Sequence, residues 1–276
     1  MSDRIFFKKI RKYRIGYHTN LKNSILETLL PEPETLQFYA GGHTSYGTRN
    51  ITEFEKNVIL EYCTKKNKTF YIHSSLICNL AKECNEKSIE HLNNELELVR
   101  NLPAAVVVHC GKVGTISKIS ESINSLNLRR GTFNSFEKQL VLENASGQGT
   151  ELGKNLDEVR KIFEGIDKNL VGLCIDTQHI FSSGVCPFRE KKDIDELFEN
   201  YFDFGLRVIH LNDSKTDFGS RVDRHENIGA GKIWGENVFT LKYLLNRCSD
   251  KKIDMILETP NQILDYERLK VFTHSL

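Results

Sequence analysis

Hydrophobic positions in this chain gather in short runs that each end on a polar residue. Eight have strand character: Arg14-Ile-Gly-Tyr-His-Thr19, Thr35-Leu-Gln-Phe-Tyr-Ala40, Thr69-Phe-Tyr-Ile-His73, Ala104-Ala-Val-Val-Val-His109, Gln139-Leu-Val-Leu-Glu143, Val171-Gly-Leu-Cys-Ile-Asp176, Leu206-Arg-Val-Ile-His210 and Ile253-Asp-Met-Ile-Leu-Glu258. From the second to the seventh they begin roughly every 35 residues, the length of a strand, a helix and their loops. Between them the apolar period becomes helical. Thr52 to Lys65 puts Phe54, Val58, Ile59 and Tyr62 on one face, and Ser88 to Leu102 does the same with Leu92, Leu96 and Val99. Asn155 to Phe163 opens on an Asn cap with acids in its first turn, and Ile194 to Tyr201 continues the alternation. Strand and helix in alternation predict a parallel sheet, and eight strands predict a closed (β/α)8 TIM barrel, one domain spanning residues 1–276. An open doubly wound sheet would carry a Gly-rich turn after the first strand, and Gly16-Tyr-His-Thr-Asn20 has none.

Composition narrows the partners. Lys+Arg of 38 against Asp+Glu of 37 leaves a net charge of +1, so binding to a polyanion must rest on a local patch or on bound metal. Seven cysteines without a CxxC pair read as free thiols of a reducing compartment, with Cys110 and Cys174 inside apolar runs as core residues. The N-terminal residues lack an apolar targeting segment and no run is long enough to cross a bilayer, so the chain is expected to be soluble, without a membrane partner, cytoplasmic or nuclear, and monomeric.

The chemistry lies at the strand ends. His73, His109, Glu143, Asp176, His210 and Glu258 occupy the last position of six runs, and in a parallel barrel those positions converge on the face that carries active sites. The loops add His179, Asp223 and His225, and Asp223-x-His225 points two ligand types to one side of an extended segment. One strand-end histidine is ordinarily a hydrogen-bonded core residue; six ligand types at six strand ends are not a chance outcome. Imidazole and carboxylate donors suit zinc, with manganese and iron as neighbours in preference. Nine such residues exceed the needs of one ion and imply two or three that share a carboxylate, a cluster suited to an anionic substrate and to phosphoryl displacement.

Several segments resemble endonuclease IV, the zinc-dependent family of apurinic/apyrimidinic (AP) endonucleases: Ile72-His-Ser-Ser-Leu-Ile-Cys-Asn-Leu80, Val108-His-Cys-Gly111, Leu142-Glu-Asn-Ala-Ser-Gly-Gln-Gly149, Cys174-Ile-Asp-Thr-Gln-His-Ile-Phe-Ser-Ser-Gly184, Ile209-His-Leu-Asn-Asp-Ser-Lys215, Ser220-Arg-Val-Asp-Arg-His-Glu-Asn-Ile-Gly229 and Ile256-Leu-Glu-Thr259. The resemblance implies hydrolysis of the phosphodiester 5′ to an abasic site in duplex DNA, leaving a 3′-hydroxyl, with three zinc ions per chain. It implies that His73, His109 and Glu143 hold one ion, that Glu143 bridges to a second held by Asp176, His210 and Glu258, and that His179, Asp223 and His225 hold the third. Glu143 as bridge and Glu258 as the group orienting water are the implied catalytic residues.

Departures from the family pattern fall in the DNA-facing loops. His18 is followed by Thr-Asn-Leu-Lys where the family has a small Gly-containing turn, Ala40 to Arg49 replaces a more basic segment, and Leu76 stands where many members carry a Tyr that enters the duplex. Tyr46, Arg49 and Leu76 are candidates for wedge or backbone contact, and Lys215, Arg221, Arg224 and Lys232 for phosphate contacts that position without reading sequence. Sugar isomerases on a similar barrel resemble the chain only in Glu143, Asp176, His210 and Glu258 and have no need of the other five; a lesion-binding protein without turnover is the second alternative. Because Asp223 and His225 come from a long loop, the third ion is expected to leave first on chelation and to free the segment 216–231.

Overall fold

All eight apolar runs form strands. The computed structural model describes residues 12–19, 33–47, 51–65, 67–131, 137–235 and 237–274. The strands are β1 (Ile15–Thr19), β2 (Thr35–Tyr39), β3 (Thr69–His73), β4 (Ala104–His109), β5 (Leu140–Glu143), β6 (Val171–Asp176), β7 (Leu206–His210), β8 (Asp213–Ser214), β9 (His225–Glu226) and β10 (Asp254–Leu257). β1 to β7 and β10 close in the order β1-β10-β7-β6-β5-β4-β3-β2, every pair parallel, while β8 and β9 form a short antiparallel ladder outside the barrel. The barrel expected from the sequence is the fold observed.

Around it lie α1 (Glu53–Lys65), α2 (Glu86–Val99), α3 (Ile116–Asn124), α4 (Leu156–Glu164), α5 (Thr177–Ser182), α6 (Lys191–Tyr201), α7 (Val238–Lys251) and α8 (Gln262–His274). Local chemistry starts several of them. Before α1, the Thr52 amide donates to Glu55 Oε2 at 2.8 Å and the Glu55 amide to Thr52 Oγ1 at 3.2 Å, a reciprocal cap. Asn155 caps α4 by accepting from the Glu158 amide at 3.0 Å. The expected inner face of α1 needs one correction: Phe54 is 63% exposed. The buried stripe is Ile59, Tyr62 and Cys63, and at 3.6 residues per turn Phe54 lies about 130° from its centre. The (β/α)8 pattern implies a helix after each strand, but the apolar period locates only α1, α2, α4 and α6. α3 is rich in serine, a weak helix former, and α5 is only six residues long. No helix among the described residues is long and apolar enough to cross a membrane.

Strand parity separates two cores. Phe70, Ile72, Val106, Val108, Leu140, Leu142, Leu173 and Ile175 belong to the large cluster that packs sheet against helices. The alternate positions Tyr71, Ala105, Val107, Val141, Cys174, Val208 and Ile256 form a second, fully buried cluster that fills the barrel axis. All seven cysteines are free; Cys110 and Cys174 are buried, and burial pushes the Cys174 thiol up to about 12.

Below the axial layer the barrel is closed by a charge. Asp254, on the axial side of β10, accepts from the Tyr71 hydroxyl at 2.6 Å and from Arg14 Nε, with Arg207 Nη2 4.0 Å away. Arg14 also donates to Thr69 Oγ1 at 3.1 Å, so one carboxylate links β1, β3, β7 and β10. Removing one partner of a buried ion group strands the others. Asp254→Ala is expected to lower the free energy of unfolding by about 3–5 kcal/mol in urea denaturation; an unchanged midpoint would show that the arginines need no counter-charge there.

Candidate metal centre

The step of two residues that organises the axial core continues upward into polar chemistry. Tyr71, Val107, Val141, Cys174, Val208 and Ile256 are each followed two positions later by His73, His109, Glu143, Asp176, His210 and Glu258. These six form the next inward layer at the C-terminal mouth of the barrel. Register brings them level, with His109 opposite Glu143 on β4 and β5 and Asp176 opposite His210 on β6 and β7.

Glu143 is the centre of the group and is 1% exposed. Its Oε2 lies 3.1 Å from His73 Nε2 and 3.6 Å from His109 Nε2, and its Oε1 lies 3.1 Å from His210 Nδ1 and 3.4 Å from His179 Nδ1. Glu258 joins from β10, with Oε2 3.2 Å from His210 Nδ1. Donor atoms of Glu143, Asp176, His210 and Glu258 all lie within 4.8 Å of one another. Asp223 reaches the same mouth from the β7 loop, 3.4 Å from both His179 Nε2 and His225 Nε2, and His225 Nε2 is 3.5 Å from Asp176 Oδ2. The structure therefore brings all nine residues into one cluster.

Local structure aims these side chains. Asp176 ends β6 and caps α5, its Oδ1 accepting from the amides of Gln178 at 2.6 Å and His179 at 3.1 Å, which seats His179 in the first turn of that helix. Its Oδ2 accepts from Asn212 Nδ2 at 2.7 Å. Three imidazoles donate Nδ1–H to main-chain carbonyls: His73 to Ser74 at 2.7 Å, His179 to Asn144 at 2.9 Å and His225 to Glu258 at 3.2 Å. That fixes the tautomer and leaves Nε2 as the free lone pair facing the carboxylates, the arrangement of metal-ligating histidine. His225 Nε2 is buried with no hydrogen-bond partner. An orphaned nitrogen among oxygen and nitrogen donors fits a cation of the zinc type.

Electrostatics point the same way. Burial alone would raise the Glu143 carboxyl, but the charges of His109 and His210 and hydrogen bonds from His210 and His73 hold it well below the usual carboxylate range. Burial likewise depresses His179, yet Asp176 and Asp223 lift it well above an ordinary imidazole. His109 is lowered, burial outweighing Glu143. The cluster is thus a set of ionised carboxylates that draws positive charge into a dry site, which protons or metal ions can supply.

The pocket above it encloses about 270 Å³ and is lined by all of the strand-end histidines except His210, together with Glu143, Glu258, Asp223 and Leu76. That is smaller than pockets that enclose a drug-sized ligand, roughly 300–1,000 Å³, so it admits one group of a larger substrate. Four lining or supporting residues escaped the sequence reading. Gln37 donates to Glu258 Oε1 at 2.6 Å while its carbonyl oxygen faces His210 Nε2 at 2.9 Å. His18 lies 3.5 Å from Glu258, Tyr39 packs on His18 and His73 with centroids 4.5 and 5.3 Å apart, and Gln262 donates to the His18 carbonyl. Gln37 carried a signal, a polar residue at an inward position of an apolar strand; Gln262 carried none.

The candidate contact residues divide. Leu76 is 47% exposed at the pocket rim. Tyr46 is half-buried, its hydroxyl donating to the Ile77 carbonyl at 3.0 Å, and it does not line the pocket. Arg221 and Arg224 are exposed on the β7 loop, Arg224 Nη1 donating to the Asp223 carbonyl. Lys215 and Lys232 line a different groove with Arg189, 3.9 Å from Glu226 and 3.6 Å from Asp217 respectively. Arg49 lies outside the described residues.

The loop bearing Asp223 and His225 is also tied down by protein groups. Asp213 accepts from the amides of Ser214, Gly229, Gly231 and Ile233 at 2.8, 2.9, 3.1 and 2.8 Å. A Cβ at Gly231 would stand 2.5 Å from Asp213 Oδ1, so only glycine allows that approach. The middle of the loop is held by the amides of Gly219 and Arg221, which donate to the carbonyls of Phe181 and Ser182 at 3.2 and 2.8 Å, and by Gln178 Nε2, which donates to the Val222 carbonyl at 2.9 Å.

A family model described as xylose isomerase-like TIM barrel matches residues 36–269. The probable endonuclease 4 of Sulfurihydrogenibium sp. is 34% identical over 257 residues, covering 84% of this chain and 86% of that protein. The apurinic-apyrimidinic endonuclease 1 of Plasmodium berghei is 34% identical over 230 residues, 77% of this chain and 43% of that longer protein. The crystal structure of endonuclease IV from Thermus thermophilus superposes with a TM-score of 0.79 at 27% identity, covering 95% of this chain and 98% of that one.

Because Asp213 gathers the amides that close the β7 loop, trypsin is expected to leave Lys215, Arg221, Arg224 and Lys232 uncut after chelation strips the protein of metal, and to cut there in Asp213→Ala even with metal supplied. Cleavage of chelated wild type at the rate of Asp213→Ala would return the loop's order to the metal.

Proposed function

Since the chain belongs to the endonuclease IV family, within the xylose isomerase-like TIM barrels, we propose that it cleaves duplex DNA on the 5′ side of an abasic nucleotide, leaving a 3′-hydroxyl, with three zinc ions. At the coarser level it is an AP endonuclease of DNA repair, a hydrolase that uses metal. The observation that carries the finer reading is the convergence of nine zinc-type donors on one pocket, with Glu143 touching four of the five imidazoles. An isomerase that needs only Glu143, Asp176, His210 and Glu258 has no use for His73, His109, His179, Asp223 and His225 so arranged.

His73, His109 and Glu143 would hold one ion; Glu143, Asp176, His210 and Glu258 a second; and His179, Asp223 and His225 a third. Zinc at such a site lowers the pKa of water from about 15.7 toward about 7 and neutralises charge on a phosphoryl group. The chain's own groups do the rest. Glu258, fixed by Gln37 and beside His210, lines the pocket, where its carboxylate would orient the attacking water. Asn212 ties the Asp176 carboxylate to the main chain of Glu258, donating to Asp176 Oδ2 at 2.7 Å and accepting from the Glu258 amide at 2.9 Å. Leu76 at the rim is the apolar contact that fills the stack beside the lesion. An abasic nucleotide has no base to unstack, so its entry into a small pocket is cheap, which favours the lesion over intact DNA. Arg221 and Arg224 contact phosphates of the same duplex.

Incision of a labelled duplex with one abasic site, against the same duplex intact, tests the reading, and extension of the product by a polymerase reports the 3′-hydroxyl. Glu258→Gln is expected to slow turnover by about 10²–10⁴-fold with the fold intact, and Glu143→Ala to lose more than one zinc by elemental analysis; full incision in both would dismiss these assignments. Leu76→Tyr is expected to change DNA affinity or bend at constant metal content, and no change in either would place Leu76 away from DNA.

A further inference from the structure

One face of α2 buries polar groups that the metal centre does not use. Ser88, His91 and Glu95 follow one another at spacings of three and four, so they share a face, and all three are buried. Ser88 Oγ accepts from the Asn79 amide at 3.0 Å and lies 3.1 Å from the Tyr46 hydroxyl. His91 Nδ1 donates to the Tyr46 carbonyl at 3.0 Å, its ring meets the Tyr46 ring edge-on at 5.7 Å, and its Nε2 lies 3.2 Å from Glu95 Oε1. Neither Glu95 Oε2 nor His91 Nε2 has a hydrogen-bond partner of good geometry among the described residues, so the two side chains meet as a close charge pair. A buried acid and imidazole with an unmatched oxygen are a poor device for stability, since apolar residues of similar volume serve as well or better.

What this face holds is the rim of the pocket. Tyr46 belongs to the loop after β2 and Asn79 to the loop after β3. Those loops are joined at the His43 carbonyl, which accepts from the Leu76 amide at 2.8 Å and from Ser75 Oγ at 3.1 Å. Asn79 also grips the loop after β4, donating to the Lys112 carbonyl at 2.8 Å and accepting from its amide at 3.1 Å. Two rim loops therefore meet α2 directly and a third is tied to them through Asn79, with Leu76 at the mouth.

We propose that the Ser88–His91–Glu95 face of α2 is a positioning device for the DNA-facing rim, presetting Leu76 so that the ordering of these loops is complete before the duplex arrives. This rests on the abasic-site reading above, with α2 itself touching neither metal nor DNA. Preorganisation of this kind appears in substrate affinity more than in the chemical step.

Glu95→Leu removes the charge at similar volume but leaves the buried His91 without its partner, so it is expected to lower the melting temperature while the zinc content of the folded protein stays unchanged. It is expected to raise KM for the abasic duplex about tenfold, the worth of one net hydrogen bond, with kcat within about twofold. Glu95→Gln, which keeps an oxygen in the same place beside His91 Nε2, is expected to recover most of the loss. Hydrogen exchange on the free protein reads the link without DNA: amides in 42–47 and 74–79 should exchange faster in Glu95→Leu while the barrel strands do not change. If Glu95→Leu does not fold, Tyr46→Phe and Ser88→Ala cut the same connection from its other side. Unchanged KM with unchanged loop exchange overturns the proposal, as does a loss of kcat together with zinc. A wild-type protein that fails to incise overturns the functional reading alone, and loop exchange still decides whether α2 sets the rim.

Discussion

A carboxylate buried among imidazoles sets the terms for this molecule. Glu143 sits at the end of β5 with four histidine rings around its two oxygens, and its burial would favour the neutral acid if those rings were absent. Holding it ionised requires positive charge at the barrel mouth, and holding five imidazoles near one another requires negative charge in return. The ends of β3, β4, β6, β7 and β10 supply both. The balance works only because register places His109 level with Glu143 and Asp176 level with His210. A slip of one residue in any strand would exchange these side chains for apolar ones.

The opposite end of the barrel solves the same problem at smaller scale. Asp254 is enclosed by Arg14, Arg207 and Tyr71, so charge closes the barrel below the apolar layer as it does above. Between the two lies a dry plug of alternating strand residues. The site therefore stands on a rigid base, and its geometry owes little to the loops beyond Asp223 and His225.

Two hubs away from the chemistry organise those loops. Asp213 gathers the amides at the end of the β7 loop, and the polar face of α2 holds the loops after β2 and β3, the latter gripping the loop after β4 through Asn79. Each uses a buried polar side chain to satisfy main-chain groups that a loop would otherwise expose. Families that share this barrel differ in what their loops hold, and function follows the site rather than the fold. Here a nearly neutral protein concentrates its polar chemistry in one small pocket with an apolar residue at its lip. That combination favours recognition of a local defect in a polyanion over attraction to the polyanion as a whole.

The alternation of apolar and polar residues by itself determined the barrel, because strand parity is a local property and the recurrence of strand and helix leaves few closed topologies. Strand-end residues were legible for the same reason: a ligand type at the last inward position of a strand has one place to point. Tertiary structure decided the rest. Tyr46 was a candidate for contact with DNA, yet a helix more than 40 residues later binds its hydroxyl and its carbonyl. Phe54 fitted an apolar face that the barrel does not cover. Gln37 and Asn212 orient carboxylates from strands and loops far away in sequence, and Asp213 closes a loop by contacts 16 to 20 residues distant. Periodicity reports which face of an element is buried; it carries no information on which distant partner a polar side chain will meet, since that depends on where the chain returns in space.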